Sequence, residues 1–164
     1  MTSISWAESY LGQLRALAGD RTLLFVGARA VVRDEQGRIL MIQRSDNGHW
    51  AMPAGAMELG ESIADCAVRE VWEETGLTAA SVTPFAFYTG PDYTFTNMYQ
   101  DTYQLFVVAF RVDAWSGELL TVTEETTDAG FFPADAMPTP VGSTTAETLA
   151  DLADFERTGR MTLK

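Results

Sequence analysis

Acidic side chains and one arginine lie close together between Gly55 and Leu77, in the sequence GAMELGESIADCAVREVWEETGL. Glu70, Glu73 and Glu74 are three and four residues apart, so on a helix their carboxylates point in the same direction. Like charges at this spacing repel one another and destabilise a helix. A divalent cation would remove that repulsion, and magnesium prefers oxygen ligands such as carboxylates. The sequence therefore predicts a helix face that holds a metal ion.

The helix that must carry these acids has recognisable ends. Ser62 is a suitable N-cap, and Asp65 three residues later can complete a capping box. Gly76 can end the helix in a left-handed conformation. The expected helix therefore runs from Ser62 to about Thr75. Its apolar side, which leaves the charged side free to face a cleft, consists of Ile63, Cys66, Ala67 and Val71.

The spacing of the fixed residues resembles the signature of the Nudix hydrolases. That signature is a glycine, five residues, a glutamate and seven residues, followed by Arg-Glu-aliphatic-x-Glu-Glu-x-Gly-aliphatic. With average residue usage, a chance match in such a chain has odds on the order of 10⁻⁷ to 10⁻⁸. The resemblance is close over Gly55 to Leu77 and looser over roughly Leu23 to Pro138. The matching positions are Gly55, Glu61, Arg69, Glu70, Val71, Glu73, Glu74, Gly76 and Leu77.

The resemblance implies an activity and a cofactor. Family members cleave a pyrophosphate bond in a nucleoside diphosphate linked to another group, which requires neutralisation of phosphate charge and an oriented water. The ADP-ribose, dinucleoside polyphosphate and nucleoside triphosphate classes all remain open as substrates. Mg²⁺ is the expected metal, with Mn²⁺ as an alternative.

The resemblance also assigns metal ligands. Glu70 and Glu74 are the expected ligands, and Glu73 is a third ligand or holds a metal-bound water as part of the catalytic machinery. The backbone carbonyl of Ala54, just before the first motif glycine, completes the expected set.

Two further motif residues receive supporting roles from the resemblance. Arg69 is expected to pair with Glu61 and hold the preceding loop onto the helix, since a planar guanidinium suits a bidentate contact with a carboxylate. A position of Glu61 beside the metal remains an alternative.

The general base is not fixed by the motif, because some family members use a motif glutamate and others use one from a later loop. Glu124 and Glu125 lie in the polar stretch TVTEETTD. We take Glu125 as a catalytic base or late metal ligand, with an ordinary exposed loop acid as the alternative. Asp101 is a second candidate for the base.

Substrate-binding residues are expected outside the motif. Arg44 resembles a family arginine that contacts phosphate, although a surface ion pair explains it equally well. In this family, a proline about fifteen residues beyond the motif suggests ADP-ribose as the substrate, and Pro91 is close to that position. A tyrosine at a similar distance suggests dinucleoside polyphosphates, and Tyr93 fits that position. The two indications disagree. Tyr93, Phe95 and Tyr99 are predicted to stack on a base, with packing in the core or a loop as the alternative.

The composition limits the class of protein. The chain has 164 residues and a net charge of −12, which argues against sequence-independent binding of nucleic acid. No apolar run approaches the ~20 residues that span a bilayer, and the first residues do not resemble a secretory signal. Cys66 is the only cysteine, so an internal disulfide is excluded and a cytoplasmic location is expected. A small nucleotide is the expected partner, without nucleic acid or membrane.

Hydrophobic periodicity predicts one domain over residues 1–164. An N-terminal helix is expected within 1–20, a core over 23–138, and a closing helix over 143–158. The apolar side of the N-terminal helix is expected to consist of Trp6, Tyr10, Leu11, Leu14 and Leu17. Leu23 to Arg33 is expected to pair in a hairpin with Arg38 to Gln43, and Gly90 to Asp92 to break a strand. Interleaved strands and helices favour an α/β fold, and the resemblance implies the Nudix-type α/β/α sandwich with a mixed central sheet.

Two other functions remain as alternatives on the same fold. One is a non-catalytic nucleotide-sensing module, which would not need all three motif glutamates. The other is isomerisation of an isoprenoid diphosphate, which would need an active-site cysteine away from the motif helix. A homodimer is a reasonable expectation, because the predicted N-terminal helix offers an apolar stripe.

Overall fold

A computed structural model describes residues 4–164 of the chain. Three helices and eight strands follow one another along these residues. In chain order they are α1 (Tyr10–Ala18), β1 (Leu23–Val31), β2 (Ile39–Arg44), β3 (Trp50–Ala51), β4 (Ala54–Ala56), α2 (Ile63–Thr75), β5 (Thr78–Thr96), β6 (Thr102–Ser116), β7 (Thr126–Phe132), α3 (Thr145–Thr158) and β8 (Thr162–Leu163).

The strands form two sheets. The larger sheet has the order β4-β1-β6-β5-β8, with β6 at its centre. β1 runs parallel to β6 and antiparallel to β4, while β5 runs antiparallel to β6 and parallel to β8. The smaller sheet has the order β3-β2-β7 and is antiparallel. The predicted mixed sheet is confirmed.

Helices cover both faces of the larger sheet, because successive side chains of a strand point to opposite faces. Ala28 of β1 belongs to the same buried cluster as Cys66 and Ala67 of α2. Val31 of β1 belongs to a different cluster, which contains Leu152 of α3. The α/β/α arrangement expected from the sequence is therefore confirmed.

The predicted hairpin between the first two strands is confirmed only next to its turn, where Arg33 and Ile39 form an antiparallel bridge. β1 and β2 themselves lie in different sheets. The turn at Asp34 to Gly37 reverses the chain as expected, with Gly37 in a left-handed conformation. The partners of β1 are β4 and β6 instead, so the local turn does not determine the pairing.

Two other expectations need correction. α1 begins only at Tyr10, because the side chain of Ser9 caps it. Its buried residues are Leu11, Gly12 and Arg15, so of the predicted apolar side only Leu11 is fully buried. Residues 1–3 of the expected interval lie outside the described part. The sequence from Gly90 to Asp92 does not end its strand. β5 continues through it, and a register shift between Thr89 and Thr94 absorbs the irregularity.

None of the helices in residues 4–164 is both long and apolar enough to cross a bilayer.

Candidate active site

α2 begins and ends at the residues that the sequence predicts. Ser62 and Asp65 form a complete capping box, in which the Ser62 side chain accepts from the Asp65 backbone N–H and the Asp65 carboxylate accepts from that of Ser62. The Ser62 hydroxyl also donates to the Asp65 carboxylate at 2.7 Å, and this bond, followed by the one from the Ser62 backbone N–H, lowers the pKa of Asp65. Gly76 ends the helix with φ of 73°. The buried apolar side of α2 sets the rotation of the helix about its axis, and with it the direction of its glutamates.

Glu70 and Glu74 point inward from α2 and are almost completely buried, with exposed fractions of 6% and 1%. Burial raises the pKa of Glu70 to about 7 in spite of the neighbouring Arg69. Burial, followed by the charge of Glu70, raises the pKa of Glu74 well above its usual value. Burying two carboxylates on one helix turn is costly unless a cation compensates them.

Gly55 and Ala54 of β4 lie directly against these carboxylates. The backbone N–H of Ala54 donates to Glu74 Oε2 at 3.0 Å. A Cβ atom at position 55 would stand 2.2 Å from the carboxylate carbon of Glu70. Position 55 therefore needs glycine, because the backbone of β4 lies directly against the glutamate side chains of α2.

Arg69 connects the motif loop to the acidic helix face. Its guanidinium donates to both oxygens of Glu61, at 2.7 and 3.0 Å, and to the carbonyl of Ala56 at 2.8 Å. Its Nη1 donates to Glu70 at 2.6 Å and to Glu73 at 2.8 Å. Although burial opposes it, the hydrogen bonds from Arg69 lower the pKa of Glu61. The bidentate pair that the resemblance implies is present.

The three motif glutamates do not converge on one point. Within residues 4–164, no three acidic, histidine or cysteine side chains are arranged to hold a metal ion between them. The reason is local: Arg69 draws Glu70 and Glu73 together, whereas Glu74 turns to the backbone of Ala54. Glu73 Oε1 remains buried without a hydrogen-bond partner, and it is the one such side-chain atom in the described residues.

A cleft of about 710 Å³ opens beside this helix face. Its walls come from α2, from β4, from the loops that flank the smaller sheet, from the turn between β5 and β6, and from the segment before α1. The lining residues are Ile4, Ser5, Trp6, Ser9, Phe25, Arg44, Asp46, Ala54, Gly55, Ala56, Glu58, Arg69, Glu70, Glu73, Asn97, Tyr99, Asp101, Glu124 and Glu125.

Glu125 lies on the cleft as the sequence predicts. Desolvation raises the pKa of Glu125, and the negative charge of Glu73 adds to the effect. Glu125 and Glu73 line the same cleft, although they are far apart in sequence. A carboxylate with a raised pKa beside a cluster of acids is suited to accept a proton from water.

Arg44 and Asp101 reach the cleft, each with an ionic partner. Arg44 makes a bidentate pair with Asp46, at 2.8 and 2.9 Å, and 41% of its side chain is exposed. Asp101 pairs with Arg15 at 3.2 Å. Arg44 therefore forms the surface ion pair and also borders the cleft, while its contact with phosphate stays a prediction.

Tyr93 and Phe95 are not among the residues that line the cleft. The Tyr93 hydroxyl donates to Glu147 of α3 at 3.0 Å, and its ring packs 5.4 Å from Tyr88. Phe95 stacks on Tyr103 with ring centroids 5.5 Å apart. The packing alternative describes both residues, because β5 continues past Gly90 and directs Tyr93 towards α3.

Of the three aromatic residues that the sequence offers for stacking on a base, Tyr99 alone lines the cleft. Trp6 and Asn97 also line it, and the sequence predicts neither of them as a site residue. Trp6 is expected on the apolar side of a helix, yet it precedes α1 and is 55% exposed. A polar turn between two strands is the one signal for Asn97, and it does not show which elements this residue would face.

Cys66 is fully buried on the inner side of α2, within 3.7 Å of the carbonyl of Gly55. Burial, followed by the charge of Glu70, raises the pKa of its thiol. A buried neutral thiol is unreactive. Because it is the only cysteine in the chain, the isomerase alternative lacks its reactive cysteine.

Known proteins match this chain over most of its length. A MutT-like protein of Streptomyces ambofaciens is 50% identical over 52 residues, which are 32% of this chain and 34% of that protein. An NAD-capped RNA hydrolase of Vibrio cholerae is 32% identical over 127 residues, which are 73% of this chain and 44% of that protein. The chain thus spans less than half the length of these relatives.

The solved structures show the same fold. A MutT NUDIX hydrolase from Burkholderia pseudomallei superimposes with a TM-score of 0.66 at 24% identity, over 80% of this chain and 99% of that one. The family model described as NUDIX domain matches residues 23–152. Since this match includes the motif loop, α2, Glu125 and the core part of α3, the chain belongs to the Nudix hydrolase family.

Proposed function

We propose that this protein hydrolyses a pyrophosphate bond in a nucleoside diphosphate derivative and that a divalent metal ion, with Mg²⁺ expected, supports the reaction. The observation that carries the proposal is the buried, unpartnered Oε1 of Glu73 beside the buried Glu70. A buried carboxylate oxygen without a donor is costly, and a cation is the natural partner for it.

The residues present fit a hard divalent cation in the chemistry of their donors, although the glutamates must shift before they can share one ion. Glu70 and Glu73 line the cleft with carboxylates, and Ala54 borders it as well. Glu74 lies buried behind them and accepts from the Ala54 N–H. Mg²⁺ binds carboxylate and phosphate oxygens and keeps several waters. When bound, such an ion neutralises phosphate charge and lowers the pKa of a coordinated water. Because Arg69 occupies Glu70 and Glu73, we expect ligand binding to be accompanied by a shift of its guanidinium.

The residues of the chain have separate tasks in this proposal. Arg69 and Glu61 keep the motif loop on α2, so that Ala54 and Gly55 stay beside the glutamates. Glu125, across from Glu73, accepts the proton of the attacking water. Arg44 at the cleft edge contacts the phosphates, for which its guanidinium is well suited.

The substrate is proposed as a small nucleotide. The relatives named above are a MutT-like protein and an NAD-capped RNA hydrolase, so they do not select one substrate. The net charge of −12 disfavours a long polyanionic chain. Acidic walls can still accept a polyphosphate whose charge is screened by a metal ion.

The test is a hydrolysis screen with Mg²⁺ and with Mn²⁺. It covers ADP-ribose, dinucleoside polyphosphates, nucleoside tri- and diphosphates, nucleotide sugars, NADH and coenzyme A. We expect at least one of them to be cleaved within its pyrophosphate, with activity lost on addition of a chelator and restored by the metal. Nucleotide binding without cleavage of any compound would favour the sensing module.

A further inference from the structure

The cleft beside α2 is lined by two chemically different sets of side chains. One set is charged and lies on α2, where Arg69, Glu70 and Glu73 contribute. The other set is aromatic and lies on the segment before α1, on β1 and on the turn between β5 and β6. Trp6 is 55% exposed and Tyr99 is 70% exposed, although large aromatic side chains usually bury most of their surface.

The turn that carries Tyr99 is held by its own hydrogen bonds. Asn97 Oδ1 accepts from the backbone N–H groups of Tyr99 and Asp101, each at 2.9 Å. The backbone N–H of Asn97 donates to the carbonyl of Asp101, also at 2.9 Å. Gln100 has φ of 68°, a conformation that is uncommon for residues other than glycine. The position of Tyr99 is therefore fixed by the turn, not by packing of its ring.

The segment that carries Trp6 is held in a comparable way. The Ser9 hydroxyl donates to the carbonyl of Trp6 at 2.9 Å. That carbonyl packs so closely on Gly12 that a Cβ there would stand 1.8 Å from its oxygen. The backbone N–H of Tyr10 donates to Glu58 of the motif loop at 2.8 Å. The segment is thus tied both to α1 and to the loop that leads into α2.

Arg15 joins the two aromatic-bearing elements. It is buried, with 8% of its surface exposed, and it extends from α1 to the start of β6. Its Nε lies 3.2 Å from Asp101 and donates to the Tyr103 hydroxyl at 3.2 Å, and its Nη2 donates to the carbonyl of Thr102 at 3.1 Å. A buried arginine with this many partners fixes the turn relative to α1.

We propose that Trp6 and Tyr99 bind the aromatic base of the nucleotide whose phosphates lie against α2, an inference that rests on the proposed function. Exposed aromatic rings stack on bases, and stacking tolerates different bases. The polar Asn97 and Asp101 border the same space. Because Trp6 precedes residue 23, where the family match begins, base recognition here depends on a segment outside the family domain.

The proposal separates base recognition from phosphate recognition, so two matched ligands test it. α,β-Methylene-ADP and methylenediphosphonate carry the same diphosphonate and differ only by the adenosine. Neither is cleaved at the methylene bridge, so binding is measured by calorimetry with Mg²⁺ present and does not depend on turnover. The hydrolysis screen therefore tests the proposed activity, and calorimetry with the uncleaved ligands tests the base site, so failure of one is distinguished from failure of the other.

Trp6→Ala and Tyr99→Ala are each expected to weaken binding of α,β-methylene-ADP by about tenfold or more, while methylenediphosphonate binds within about twofold of the wild type. Trp6→Phe should restore most of the affinity, because it keeps a ring. Leu17→Ala is the control, since Leu17 is 87% exposed on α1 and does not line the cleft. Unchanged binding of α,β-methylene-ADP in both alanine variants would overturn the proposal, as would equal weakening of the two ligands.

Discussion

The guanidinium of Arg69 lies between Glu61 and Glu73, donating to the first from the motif loop and to the second from its own helix. One cation therefore holds the loop and balances the acidic helix face at the same time. Because 14% of the Arg69 side chain is exposed, water compensates only a small part of the neighbouring negative charge. The loop position and the charge balance of the site are thus coupled through one residue.

Replacement of Arg69 tests that coupling. Arg69→Ala removes the cation from three carboxylates and frees the motif loop, so we expect a loss of stability of about 3 kcal/mol together with a loss of turnover. Thermal unfolding and the hydrolysis assay measure the two effects. Arg38→Ala is the control, because Arg38 pairs with Asp34 in a surface turn. Wild-type melting of Arg69→Ala would contradict the structural role.

Gly55→Ala tests the close approach of β4 to α2. The new methyl group would meet the Glu70 carboxylate, which lies at the end of a flexible side chain and can move aside. We therefore expect metal affinity and turnover to fall by about tenfold or more while the melting temperature changes little. Gly142→Ala is the matched control, since the nearest atom there is at an ordinary 3.6 Å. Full activity in Gly55→Ala would show that Glu70 does not need its observed position.

Glu125→Gln tests the general base. An amide cannot accept the proton of water, so turnover should fall by about 10² or more and the basic group should disappear from the pH–rate profile. Glu124→Gln, at the adjacent position of the same loop, is the control. If Glu125 is instead a metal ligand, Mn²⁺ affinity falls together with turnover, and the base must be sought among the motif glutamates.

The capping box predicts a pH-dependent stability. The pKa of Asp65 is lowered in the folded protein, so its contribution is present above the ordinary value of 3.8 and is lost as the pH falls through the folded value. Asp65→Asn should therefore melt at a lower temperature than the wild type at pH 7, and the difference should close in acid. Asp135→Asn, at an exposed position, controls for the loss of one charge. A difference that stays constant with pH would contradict the account.

Local signals explain which parts of the fold could be predicted. The ends of α2 are set by Ser62, Asp65 and Gly76, whose effects act within a few residues, and the structure confirms them. The partners of β1 are set by burial on both faces of the sheet. No turn residue encodes that choice, so the expected pairing with β2 is limited to the bridge beside the turn, and β1 itself pairs with β4 and β6.

The candidate site likewise contains residues that the sequence predicts and residues that it does not. The acidic face of α2 follows from helical spacing, and the pair of Arg69 with Glu61 follows from the resemblance. The approach of Trp6 to the turn of Tyr99 depends on a buried Arg15 that joins distant parts of the chain. The sequence predicts Trp6 on the apolar side of a helix, because a hydrophobic period does not show that the helix begins only after Ser9.

The central claim is that Glu70, Glu73 and Glu74 hold the metal ion, and Mn²⁺ titration followed by electron paramagnetic resonance tests it most directly. With α,β-methylene-ADP present, the wild type should bind Mn²⁺, and Glu70→Gln and Glu74→Gln should each weaken binding by about tenfold or more. Glu35→Gln, in the turn before β2, should bind as the wild type does. Equal Mn²⁺ affinity in the wild type and both helix variants, with all proteins folded, would contradict the account.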